Sequence, residues 1–268
     1  MTDFSGEDLG GSAFERVNLS GARFENVRAN GARFRSVDLS GASFRGAHFG
    51  GVVMSGAILS NVDIRGEIDG LRVNGVDVGP LIEAELDRRH PERAKMRPTD
   101  PDGFREAWAV LERLWYGTVE RARGLDPVLL HESVGGEWSF IETLRHLVFV
   151  TDAWVRRAIL GDPAPWDALG LPWDEAPELP GVPWDRSARP SLDTVLALRR
   201  DRMATVREVI GGLTEQSLAA DTEPVEGPGW PEPGSHPVRE CLRCVLNEEW
   251  EHRLYAERDL DALFARQG

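Results

Sequence analysis

An unbroken period of five sets the first quarter of this chain apart. Phe4, Leu9, Phe14, Leu19, Phe24, Ala29, Phe34, Leu39, Phe44, Phe49, Met54, Leu59 and Ile64 are all apolar. In a chain that is 41% hydrophobic, thirteen such hits in one frame have chance odds of roughly one in 10^5, so the period marks a repeat architecture. A helix would need a period near 3.6 and a strand a period of 2, so neither element alone accounts for it. Two residues before each centre, from Val17 to Val62, stands Ala or Val in all ten cases. Two residues after each centre, Gly occurs nine times (6, 11, 21, 31, 41, 46, 51, 56 and 66), with Asn26 and Asn61 added. Gly and Asn accept the positive φ of a tight corner. The unit reads as large inside, small inside, corner, and a chain turning every five residues coils into a narrow solenoid.

Val17-Asn18-Leu19-Ser20-Gly21 and Val37-Asp38-Leu39-Ser40-Gly41 are close to a unit of Ala, Asp or Asn, Leu and two free positions. On these residues, positions 2–66 resemble the pentapeptide-repeat family. The resemblance implies a right-handed quadrilateral β-helix of about three coils. Some members of that family mimic DNA, but residues 1–66 carry seven acids and seven Arg. Mimicry needs a concentrated negative field, which cancelled charge cannot supply.

The whole chain has 45 acidic against 31 basic residues, giving −14, and residues 67–268 hold all of that surplus. Such a segment is a poor partner for nucleic acid or an anionic membrane. The bases are Lys95 and otherwise Arg, a bias read here as codon usage. There is no basic-apolar leader and no apolar run near 18 residues. Two cysteines make no disulfide framework. A cytoplasmic, soluble protein is expected.

Three segments are expected: repeats at 1–66, a Gly- and Pro-punctuated connector and cap at 67–101 with a short helix over Leu81–Arg89, and a helical domain at 102–268. Four long helices are predicted near 102–123, 139–160, 191–213 and 237–266. Ser139 and Glu142 have capping-box spacing, and Pro237 suits a first turn. Together these suggest an up-down four-helix bundle. The Pro-rich loop over 161–190 is long enough to be functional or disordered.

Glu248 and His252 are four apart, so they share a face of the last helix, in a stripe read as Cys241, Val245, Glu248, His252 and Tyr255. His146 lies in the apolar stretch Leu144–Val150. If the helix middles face each other, these three could form a two-imidazole, one-carboxylate metal site, for Zn²⁺ first. The alternative is a hydrogen-bonded core His and a plain i,i+4 surface pair, with Glu249 or Glu251 equally exposed. Cys241-Leu-Arg-Cys244 has redox-motif spacing, but a pair of buried helical thiols is preferred. Pro-Trp occurs at 165–166, 172–173 and 183–184, and Trp230 sits in a second loop. Trp138, Trp166, Trp173 and Tyr255 are candidates for a substrate pocket, closed by these stiff loops as a lid or plugged by them as core.

Glu137-Trp138-Ser139 through His146-Leu147 to Asp152, then Glu249-Trp250-Glu251-His252 and Arg258-Asp259-Leu260, are similar to the DinB-like superfamily of four-helix metalloproteins. The similarity covers about 101–266. It implies ligands at His146, Glu248 and His252, with Glu248 where many members have His, as in the mycothiol-dependent maleylpyruvate isomerase type. It further implies a divalent metal, Zn²⁺ with Ni²⁺ or another ion as alternative, and a low-molecular-weight thiol. The expected partners are that thiol and an electrophilic substrate, in an S-transferase or isomerase reaction. The competing reading is a non-enzymatic interaction module with the solenoid as its working surface. The last coil also offers an edge through which two copies could pair.

Overall fold

The computed structural model describes residues 4, 6–24, 27–44, 47–66, 68–174 and 176–267. The expected corners Asn26 and Gly46, and the range ends Met1, Glu67 and Gly268, lie outside the described residues. The chain divides into two compact units, Met1–Arg65 and Gly66–Gly268.

In the first unit the corners fall where the period puts them. Gly6, Gly11, Gly21, Gly31, Gly41, Gly51, Gly56 and Gly66 have positive φ, and so do Asn61, Arg16 and Ser36. Turn hydrogen bonds such as Leu19 O to Ala22 N (2.9 Å) and Leu39 O to Ala42 N (3.0 Å) close several of these corners. The acid or amide before a centre has a local task. The N–H groups of Gly10, Ser20 and Ser40 donate to Asp8, Asn18 and Asp38, each at 2.9 Å. These are Asx turns, which pre-bend the chain toward the following corner.

The walls between corners differ from the expectation. No strand is formed among the described residues of 4–66. The large apolar centres are exposed, Phe34 by 72% and Phe24 by 69%. A corner is settled within four residues by one turn bond and one positive φ. A wall needs hydrogen bonds and side-chain burial between coils about 20 residues apart, with the loop-closure entropy that separation carries.

The second unit is mostly helical. A two-residue hairpin, β1 (Arg72–Val73) with β2 (Val76–Asp77), opens it. Asn74 and Gly75 both have positive φ, as a two-residue hairpin turn needs. Helix α1 (Gly79–Arg89) follows, where the short connector helix is expected. A 3₁₀ turn, Arg93–Met96, then places Met96 in the helical core. Helix α2 (Pro101–Ala122) is capped by Asp100, which accepts from Gly103 N. Helix α3 (Phe140–Thr151) starts at the Ser139–Glu142 capping box and runs into a π-helical stretch, Asp152–Ile159. Helix α4 (Leu192–Gly211) is capped by Ser191. A single turn, α5 (Glu215–Leu218), precedes the long α6 (Val238–Gln267).

Helices α2 and α3 each pack on both α4 and α6. One apolar cluster joins Trp108 and Leu111 of α2 to Val206 of α4 and Leu242 and Leu246 of α6. A second joins Trp115, Leu144, Leu147, Val195 and Leu260. Two ion pairs are buried among these helices. Arg199 holds Glu249 through two bonds of 2.6 and 2.8 Å, and Arg202 holds Asp152 at 2.7 and 3.2 Å.

Candidate metal centre

Helix α3 is buried on nearly every face, so His146 is carried into the interior by its neighbours and is only 7% exposed. Its Nδ1 lies 2.9 Å from the carbonyl oxygen of Leu171. A carbonyl only accepts, so Nδ1 carries the proton, and in the neutral ring Nε2 carries the lone pair. That lone pair points to Glu248, whose Oε2 is 3.4 Å away. The same Oε2 is 3.0 Å from His252 Nε2. The two imidazole centroids are 4.8 Å apart. One ligand atom from each residue falls within 4.8 Å of the others.

The three neighbouring carboxylates of α6 have three different environments. Glu249 is 1% exposed and belongs to Arg199. Glu248 is half-buried between the two imidazoles. Glu251 is half-buried, and burial raises its pKa. The expected core stripe through Glu248, His252 and Tyr255 is thus corrected. The buried stripe runs through Leu242, Leu246, Glu249, Trp250 and Leu260. Glu248, His252 and Tyr255 stand on its flank, because a helix this long needs Leu246, Trp250 and Leu260 inward to fill the core.

Burial holds the His146 pKa below its ordinary range, against the pull of Glu248. Burial alone would raise the Glu248 pKa, but its contacts with the two imidazoles outweigh that and hold the carboxyl well below the usual range. The site therefore favours an ionised carboxylate facing a neutral imidazole lone pair. Two acceptors in contact need a proton or a cation between them, and burial disfavours the proton on His146. The donor set fits a divalent ion, and the Leu171 carbonyl stands where a metal-bound His normally finds its outer partner.

The pocket candidates divide. Trp138 lies over the site, 4.6 Å from the His146 ring and stacked at 5.8 Å on His252. Its Nε1 donates to Asp174 at 2.8 Å. Tyr255 meets His252 edge-on at 5.9 Å, and burial raises its pKa. Trp166 and Trp173 do not reach the three ligands directly. They pack on Phe149 at 5.5 and 6.3 Å, and Phe149 lies 6.4 Å from His146. Trp173 also meets Trp230 at 5.0 Å. The Pro-Trp loops thus build an aromatic wall beside the site.

Cys241 and Cys244 are both free thiols. Burial pushes them up to about 11 and about 12, which suits unreactive thiols rather than a redox pair, with Cys241 buried and Cys244, expected to be buried too, only partly so. Reading the Arg bias as codon usage missed four residues. Arg145, Arg157, Arg199 and Arg202 are all buried, and each fork has definite partners.

The DinB superfamily matches residues 110–256, more than half of the chain, and pentapeptide repeats (8 copies) match residues 2–35 and 32–66. The chain belongs to the DinB superfamily and carries N-terminal pentapeptide repeats. No curated protein and no solved structure matches it. Among the described residues, no helix is long and apolar enough to cross a membrane.

Proposed function

We propose that the helical unit binds one divalent metal ion, Zn²⁺ first, through His146, Glu248 and His252, and that the ion serves a low-molecular-weight-thiol-dependent S-transferase or isomerase. One observation carries the metal reading. The Nε2 lone pair of His146 faces a carboxylate 3.4 Å away while Nδ1 is committed to Leu171. The superfamily is typically metal-binding, which supports it. Two imidazoles and one carboxylate suit Zn²⁺, with Ni²⁺ as alternative, better than the oxygen-seeking Ca²⁺ or Mg²⁺.

When bound, such an ion lowers the pKa of a thiol and so favours the nucleophilic thiolate. The remaining work belongs to the chain. Leu171 orients His146. Trp138 covers the two imidazoles. Phe149, backed by Trp166 and Trp173, keeps water from the His146 side. Burial keeps the Tyr255 hydroxyl protonated, so at neutral pH it can donate a hydrogen bond but not accept a proton. Turnover of an electrophile by the Zn²⁺-loaded protein, with and without a low-molecular-weight thiol, tests the activity. Turnover that ignores the thiol would count against it.

The same proposal covers the architecture. The four long helices are taken as an up-down bundle, and the corners as those of a quadrilateral β-helix, in which stacking of the coils would bury the Phe and Leu centres that are exposed here. A second reading makes the repeats a binding surface without enzymatic work. Its supporting observation is the exposure of Phe14, Phe24 and Phe34, through which two copies could pair. Sedimentation of the full chain tests that reading, and a monomer at all concentrations counts against it.

A further inference from the structure

Two of the buried arginines, Arg145 and Arg157, donate to carbonyl oxygens of loops rather than to carboxylates. Arg157 donates to Pro163, Val225, Glu226, Gly227 and Pro231, and so ties down mainly the 222–237 loop. Arg145, which is fully buried, donates from Nε to Leu169 at 2.8 Å, from Nη1 to Ala188 at 3.0 Å and from Nη2 to Asp185 at 2.5 Å. These three bonds gather both arms of the 161–190 loop onto the residue next to His146. The backbone reinforces the tie, because Leu171 N donates to the Arg145 carbonyl (3.2 Å) and Asp185 N to Ala168 (3.2 Å).

The gathered loop is also what touches the metal centre from behind. Its Leu171 carbonyl accepts from His146 Nδ1, and its Asp174 carboxylate accepts from Trp138 Nε1. We infer that Arg145 is a positioning residue for the His146–Glu248–His252 site: its fork fixes the 161–190 loop, and that loop sets the His146 tautomer and seats Trp138 over both imidazoles. The inference rests on the metal reading of those three residues. A fork is required because the three carbonyls are met by three different nitrogens of one planar group. A lysine offers a single nitrogen and cannot reproduce the pattern. Outer partners of this kind typically change metal affinity by about 10- to 100-fold when lost.

The test uses the full chain as Arg145→Lys, with Arg157→Lys as the control for general loosening. Long-range nitrogen–proton spectra of the metal-free protein read the His146 tautomer. Zn²⁺ competition against a chromogenic chelator reads affinity. The parent should show Nδ1–H. Arg145→Lys should mix the two tautomers and weaken Zn²⁺ binding about 10-fold or more, while Arg157→Lys leaves both unchanged. A folded Arg145→Lys with the parental tautomer and affinity would overturn the inference, and so would equal losses in the two variants.

Should Arg145→Lys fail to fold, hydrogen exchange of the parent gives the same answer through linkage. Zn²⁺ should slow exchange across 168–188 more than across 222–237, because coupling between a site and a loop is reciprocal. Bound Zn²⁺ with no added protection of 168–188 overturns the inference. A parent that binds no Zn²⁺ defeats the metal reading instead, and the tautomer comparison still decides the part played by Arg145.

Discussion

The repeats and the helices use the same apolar residue types and end in opposite states. Phe24 and Phe34 face water, whereas Phe104 and Phe140 are buried. The difference lies in where each residue's partners come from. In the repeats, order is written within five residues: a positive φ, a turn bond, an Asx contact. In the helical unit, order comes from partners 50 to 140 residues away, such as Glu249 for Arg199 and Glu257 for Arg121. Local chemistry fixes direction changes. Dry interiors need distant partners.

The sharpest blow to that contrast should fall on the helical side. Glu249→Ala leaves the Arg199 guanidinium buried without its carboxylate, and breaking such a pair costs about 3–5 kcal/mol. Thermal unfolding should show a large drop in Tm, and a drop of only a degree or two would mean that water has replaced the partner. Phe34→Ala asks whether the repeat coils stack as proposed. A stacked column loses about 3 kcal/mol or more. A change within about 0.5 kcal/mol means that Phe34 stays in water, as an exposed side chain would. Gly41→Ala forces a side chain onto a backbone at φ 75°, and should cost about 1–2 kcal/mol. It should act on the repeats without moving the unfolding of the helices. The smallest effect expected is chemical. With thiols held near 11 and 12, native Cys241 and Cys244 should resist alkylation at pH 8 and react quickly once unfolded. Fast labelling of the native chain would return the C-x-x-C pair to consideration as a redox motif.

What could be read from the sequence follows the same division. The corners were legible because each is a one-residue demand on φ, and even Arg16 and Ser36, which break the Gly rule, obey the period. The start of α3 was legible because Ser139 and Glu142 satisfy each other locally. The meeting of His146, Glu248 and His252 was legible as a possibility of helix spacing, and helix packing realises it. The hairpin at Asn74-Gly75 carried a signal that the reading of 67–101 as a connector passed over. The roles of the buried arginines were not legible. Their partners are backbone carbonyls and single acids scattered over distant loops, and no spacing rule links Arg145 to Leu169, Asp185 and Ala188. The choice of Glu249 as the buried acid, and Glu248 as the one between imidazoles, likewise depends on how α6 is rotated against α4. Only the assembled core sets that rotation.

The proposed chemistry requires two imidazoles and a carboxylate to converge on one cation. Elemental analysis of the purified full-length protein, beside a folded His252→Ala variant, tests it most directly. Close to one divalent ion per parent chain is expected, and none in the variant, with the variant's helical content intact. No stoichiometric metal in the parent, or equal metal in both proteins, would contradict it.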